Sequence, residues 1–202
     1  VFIPLAFSSY VFFIGLPALL YKKLTQARAW NRWDECLKIS SQLETIGRWT
    51  PAKVPASEIA RYRATALAGQ KNLDEALKVY EPFGDGNEIP EWLYLAHLSD
   101  IHSAAKEFDR AIECGLRAIE KAPANSLLFI DHGWRLIFRK NDVINAKLAL
   151  EKAEALEIIE LGQMFLSRLK GTIALEEANY SSARQHFQKS LEQAEPFKNA
   201  IL

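Results

Sequence analysis

Four alanines, Ala76, Ala111, Ala146 and Ala183, stand 35, 35 and 37 residues apart, each with a large apolar residue three positions earlier: Leu73, Phe108, Val143 and Tyr180. A period of that length, kept up along a chain, means copies of one supersecondary unit rather than one irregular core. A single copy is too small to bury its own apolar faces, so the copies must stack on one another. A fifth, weaker copy starts at Trp33, three residues before Cys36, which stands forty residues ahead of Ala76.

Each copy reads as an amphipathic helix, because apolar or small residues recur in steps of three and four, as in Phe108, Ala111, Ile112, Gly115, Ala118 and Ile119. A second helical pattern precedes each one. Twelve or thirteen residues upstream of the four alanines stand Ala64, Ser99, Gly133 and Gly171, small side chains that let two antiparallel helices approach closely. The links are too short for anything but neighbouring placement. The third copy carries one extra residue, thirteen rather than twelve, between Gly133 and Ala146.

A helix-turn-helix unit of about 34 residues resembles the tetratricopeptide repeat. Between Trp92 and Asn125 the match includes Leu98, Ser99, Phe108, Ala111, Ala118 and Pro123, and in the last copy Gly171, Tyr180, Ala183, Phe187 and Pro196. Gly115 departs from it, standing where the family prefers an aromatic that Tyr80 and Phe187 supply. The resemblance implies an all-α, right-handed solenoid with a concave groove that holds a protein or peptide partner, and no catalytic residue or cofactor. On the first helices the groove candidates are Arg61, Thr65 and Ala68, then Ala96, Asp100 and Ser103, then Arg135, then Arg168, Thr172 and Leu175. Family members that clamp the C-terminal carboxylate of chaperones use Lys and Asn where this chain has Arg61, Thr65, Ala96 and Asp100, so that partner class is not expected.

Residues 1–21, VFIPLAFSSYVFFIGLPALLY, contain no charge, and about 20 such residues span a bilayer as a helix. Lys22, Lys23, Arg28 and Arg32 follow, and residues 22–54 hold seven Lys or Arg against three acids. By the positive-inside rule the remainder lies on the cytoplasmic side. The expected layout is a transmembrane helix over 1–21, a basic juxtamembrane segment with a degenerate first repeat over 22–56, and the repeat array over 57–202. The first repeat helix then runs through Leu20, Leu24 and Ala27, nearly continuous with the membrane helix and bent near Pro17. The function expected is a membrane-anchored scaffold for protein interactions, in contact with lipid through 1–21. Its alternative is the C-terminal tail of a polytopic membrane enzyme, such as a rhomboid-like protease, whose catalytic part precedes Val1. A third arrangement packs the first helix on the array as a cap.

Other chemistry finds little support in the residues. Lys plus Arg and Asp plus Glu balance at 25 each, which argues against a nucleic-acid partner. Cys36 and Cys114 form no C-x-x-C pair, and His97, His102, His132 and His186 lack metal-ligand spacing. No glycine-rich phosphate loop is present, and Ser8 and Ser9 lack the glycines and histidine of an intramembrane nucleophile. No metal, cofactor or small-molecule substrate is expected. The cysteines read as buried small residues, His97 and His102 as packing residues, and the five tryptophans as core or headgroup residues.

Overall fold

The computed structural model describes residues 15–50 and 53–200, the side chains of 139 and 196–200 excepted. Among the described residues it is all-α, with ten α-helices in five consecutive pairs. The first three pairs are α1 (Leu16–Ala29) with α2 (Trp33–Gly47), α3 (Ala56–Gly69) with α4 (Leu73–Tyr80), and α5 (Glu91–Ala104) with α6 (Phe108–Lys121). The last two are α7 (Ser126–Arg135) with α8 (Val143–Glu154), and α9 (Glu160–Glu176) with α10 (Tyr180–Ala200). Every second helix of a pair begins on the large apolar residue of the repeat, Trp33, Leu73, Phe108, Val143 or Tyr180. The weak first copy is therefore a complete helix-turn-helix unit. A short 3-10 turn, Glu81–Phe83, follows α4.

The five turns share one backbone device. Asn31, Lys71, Lys106, Asn141 and Ala178 all have positive φ, between 52° and 69°, and each stands two residues before its second helix. In four of them the left-handed residue donates its N–H three residues back and the next residue donates five back, as in Lys71 to the Ala68 carbonyl (2.9 Å) and Asn72 to the Leu67 carbonyl (2.9 Å). Those two bonds satisfy carbonyls that the ending helix would otherwise leave open. The fourth turn differs: Asn141 reaches four back to Ile137 and Asp142 six back to Leu136. The reason is a π-helical turn over Leu136–Lys140, which absorbs the extra residue between Gly133 and Ala146. The side chain of Asp142 then caps α8 by accepting from the Asn145 N–H at 3.0 Å.

The repeat positions meet as their spacing predicts. Cys36, Ala76 and Ala146 are 0% exposed, and Ala111 and Ala183 are fully packed as well. Ser99 is buried and its hydroxyl donates to the Ala111 carbonyl. A Cβ on Gly133 would stand 3.5 Å from the Ala146 carbonyl oxygen, in ordinary contact, and 2.9 Å from a Leu169 methyl, which would have to shift, so the small residue sits against α8 where the count places it. A Cβ on Gly171 would meet the Phe187 ring at 2.8 Å.

The chain divides into two compact units. One comprises the chain up to Pro90 with Asp100–Glu107, and the other Glu91–Ser99 with the chain from Phe108 onward. The first has a core around Leu24, Cys36, Ile39, Leu43, Ile59 and Tyr62. In the second, one cluster gathers Phe129, Ile130, Leu166, Leu169 and Ile173, and a smaller one Leu95, Ala118 and Leu128. Leu24 and Leu169 are 0% exposed, and truncating such a leucine to alanine costs about 2–5 kcal/mol.

The expected membrane span needs correction at its end. Residues 1–14 lie outside the described residues, but Leu16 to Tyr21 belong to α1, and Leu20 and Tyr21 pack on the first core. The cause is their register: Leu20, Leu24 and Ala27 recur along one face of α1, and that face meets Cys36, Ile39 and Leu43 of α2. Pro17 sits in the first described turn of α1, and the expected bend near it concerns residues 1–14, which lie outside the described residues. Among the described residues no helix is long and apolar enough to cross a membrane. The tryptophans divide: Trp30 and Trp49 are 76% and 78% exposed, so they are not core residues of this fold.

Candidate functional site

The first helix of each pair carries a stripe set by the small residue that packs on its partner. Positions three before, one after and four after that residue lie along one face of a helix. In α3 these are Arg61, Thr65 and Ala68; in α5 Ala96, Asp100 and Ser103; in α9 Arg168, Thr172 and Leu175. In α1 the residue twelve before Cys36 is Leu24, which puts Tyr21, Thr25 and Arg28 on the equivalent stripe.

In the first unit the stripes of three helices meet in one polar network. Asp100 accepts from Arg28 at 2.9 Å and lies 3.6 Å from Arg61. Arg61 also donates to Glu58 at 2.8 Å and lies over the Tyr62 ring, 4.4 Å from its centre. Glu58 in turn accepts from the Tyr21 hydroxyl at 3.1 Å, and Tyr21 packs edge-on against Tyr62. Burial works against the Arg61 charge, but the Glu58 hydrogen bond and the nearby acids outweigh it and hold the guanidinium well above its ordinary range. Two of the sequence candidates, Arg61 and Asp100, are thus brought together. Arg28, Tyr21 and Glu58 complete the network; Tyr21 and Arg28 follow from Cys36 by the same spacing, and Glu58 precedes Arg61 by one turn.

Thr65, by contrast, is buried and donates its hydroxyl to the Arg61 carbonyl at 2.8 Å. It serves the helix rather than a groove, because one residue past Ala64 is close enough to the packing face to be covered. Ala68 is 0% exposed for the same reason, while Ser103 is half-buried.

In the second unit the stripe is aromatic. Arg168 lies over the Trp134 ring, 4.8 Å from its centre, and Trp134 stacks on Phe138 with centroids 4.9 Å apart and planes within 1°. Arg168 is exposed and Phe138 is 59% exposed. Phe138 stands four residues after Trp134, one turn along the same helix face. Arg135, the sequence candidate on this helix, is instead buried and ion-paired one turn back with Asp131. It stands two residues past Gly133 rather than one, so it is off the stripe, and Trp134 occupies the place assigned to it. Thr172 repeats the behaviour of Thr65: it is buried and donates to the Arg168 carbonyl.

His97 and His102 are buried as packing residues, and His102 Nδ1 lies 3.0 Å from Glu107. Among the described residues no group of His, Cys, Asp and Glu is arranged to hold a metal ion.

No protein-family model matches the chain. No curated protein matches it either. A solved structure titled "MamA MSR-1 C2" is similar, with a TM-score of 0.47 at 18% sequence identity, over 87% of this chain and 94% of that one.

Proposed function

We propose that this chain is a protein-interaction scaffold of the tetratricopeptide type, whose first helices stack as the inner lining of a right-handed solenoid and hold an extended segment of a partner protein. The observation that carries this reading is that one residue position, directly after the small packing residue, bears Asp100 in α5 and Trp134 in α7, each gathered with an arginine of the neighbouring first helix, Arg61 and Arg168. Charged and aromatic side chains fixed by their neighbours suit hydrogen bonding to a partner's backbone and stacking on its side chains. In the same proposal, residues ahead of Leu16 hold the scaffold at a bilayer, with the array on the cytoplasmic face beside Lys22, Lys23, Arg28 and Arg32.

The test is affinity capture with the full chain and with the variants Asp100→Asn, Trp134→Ala and Arg168→Glu, followed by a binding curve for any partner found. Loss of the same partner by the stripe variants, with helicity unchanged by circular dichroism, supports the scaffold. A partner held equally by all three variants would remove the stripes from the function. Flotation of the chain with vesicles, compared with a chain starting at Gly15, tests the bilayer contact separately.

A further inference from the structure

The first unit also contains a cleft of about 770 Å³, away from the network of Arg28, Arg61 and Asp100, formed by the end of α2, the linker into α3, the outer side of α3 and the end of α4. Its volume lies within the range of ligand-binding clefts. Four cations line it, Arg48, Lys53, Arg63 and Lys78, against one carboxylate, Glu44. Arg63 is paired with Glu44 at 3.3 Å, and both partners of that pair are more than a third exposed. No carboxylate among the described residues pairs with Arg48, Lys53 or Lys78. Beneath the cations the lining is apolar, with Leu43, Ile59, Val79 and Phe83.

We infer that this cleft is a second docking site, which takes an acidic peptide segment of a partner protein carrying large apolar side chains among its carboxylates. The charge count argues for an anion: four lining cations minus one carboxylate leave a surplus of three positive charges in one concavity, where low-dielectric walls concentrate the field. The distribution argues for a peptide. The cations come from two helix ends, a linker and the flank of a third helix, so they suit a ligand with several charges along its length. A lone phosphate would engage some of them and leave the apolar floor uncovered. Alternating glutamates and large apolar side chains satisfy rim and floor together. The site is independent of the stripes, since none of Arg61, Asp100, Trp134 and Arg168 lines it.

The experiment is fluorescence anisotropy with the full 202-residue chain and a labelled peptide alternating glutamate with leucine and phenylalanine. A peptide with glutamine for every glutamate is the control, and vesicles of anionic or zwitterionic phospholipid form a third arm. Saturable binding of the acidic peptide is expected, weakened about tenfold or more in the double variant Arg48→Gln/Lys78→Glu, which changes two exposed side chains, and unchanged in Asp100→Asn and Arg168→Glu. Binding to the unaltered chain should also fall steeply as salt rises toward about 1 M, where the screening length is near 3 Å. The second measurement needs no variant to fold. Equal binding of the glutamine peptide, salt-insensitive binding, or an unaffected double variant overturns the inference. Capture of anionic vesicles but not of the peptide overturns it in favour of a lipid surface. Loss of peptide binding in the stripe variants alone would assign the peptide to the first helices instead.

Discussion

The indole of Trp33, the first residue of α2, fills the space beside Gly69 at the end of α3, so that a Cβ on that glycine would stand 2.6 Å from the ring nitrogen and 2.8 Å from the Cδ2 carbon. The contact joins the first helix pair to the second, and Trp33 is the large apolar residue of the first copy. Substituting Gly69→Ala should cost about 1–3 kcal/mol, because the half-buried ring, packed on the first core, would have to shift. In the double variant with Trp33→Leu that penalty should largely disappear. A double-mutant cycle by guanidinium denaturation measures it, and a coupling below about 0.5 kcal/mol would mean that the helices simply shift.

Ala178, with a φ of 57°, is the turn residue least suited to a left-handed backbone. The steric cost for an L-residue there is about 1–2 kcal/mol, part of which glycine gives back through its own freedom in the unfolded chain. Ala178→Gly should therefore stabilise the chain by about 0.5–1 kcal/mol. Ala105→Gly is the control, since Ala105 has a φ of −71° and the same change there should destabilise. A shift of both midpoints in one direction would contradict the assignment.

These two cases show how far residue counting reaches. The pairs, the small facing positions and even the surplus residue before Ala146 are legible as spacings, because a helix converts sequence distance into a direction. The stripe was legible too, down to Arg61 and Asp100. Spacing is blind to how deep a position sits, so it places Thr65 and Thr172 on an open surface although both are buried. Register around Gly133 is legible only to one residue, which is why spacing points to Arg135 where the structure has Trp134. The cleft under Arg48 and Lys78 has no periodic signature, since its residues come from helix ends and a linker.

Deletion of residue 139 would return Gly133 and Ala146 to the twelve-residue separation of the other copies and remove the need for the π-turn. The helix pair should survive with little loss, within about 0.5 kcal/mol, because Trp134 and Phe138 stay four residues apart and keep their stack. The same deletion at Ala66, inside α3, should cost several kcal/mol, because it turns Ala64 away from α4. Denaturation midpoints of the two deletion variants compare them directly, and equal losses would show that the extra residue is not what the π-turn accommodates.

His132 is half-buried, its Nδ1 has no hydrogen-bond partner among the described residues, and burial, with Lys152 nearby, lowers its pKa. Above the unfolded value of about 6.5 the ring is neutral in both states and contributes no pH dependence. As pH falls below that value the unfolded chain takes up the proton first, so stability should decline until the folded pKa is passed and then level off. His132→Phe should flatten this part of a melting-temperature profile, although the shift at His186, which has the same direction, will leave a residue of it. An unchanged slope in His132→Phe would exclude the ring as its source.

Both thiols are poor nucleophiles in the folded chain. Burial pushes Cys36 up to about 11, with Glu35 adding to the shift and Arg28 and Arg32 opposing it, and burial also raises Cys114. At about pH 8 neither should react with a disulfide reagent until denaturant exposes it. Since Cys36 belongs to the first unit and Cys114 to the second, labelling each along a guanidinium series reports the opening of each unit separately. Rapid labelling of either thiol without denaturant would contradict its burial.

The five left-handed turns have a kinetic consequence. Each closes with two backbone bonds over a handful of residues, so a helix pair can form without waiting for any distant segment, and the entropy of closing such short loops is small. Chains dominated by contacts near in sequence fold fast, and here no single pair need come first. Folding should start at whichever turn forms earliest and spread to its neighbours, which leaves a nascent chain able to order its first pairs while the last are still being made.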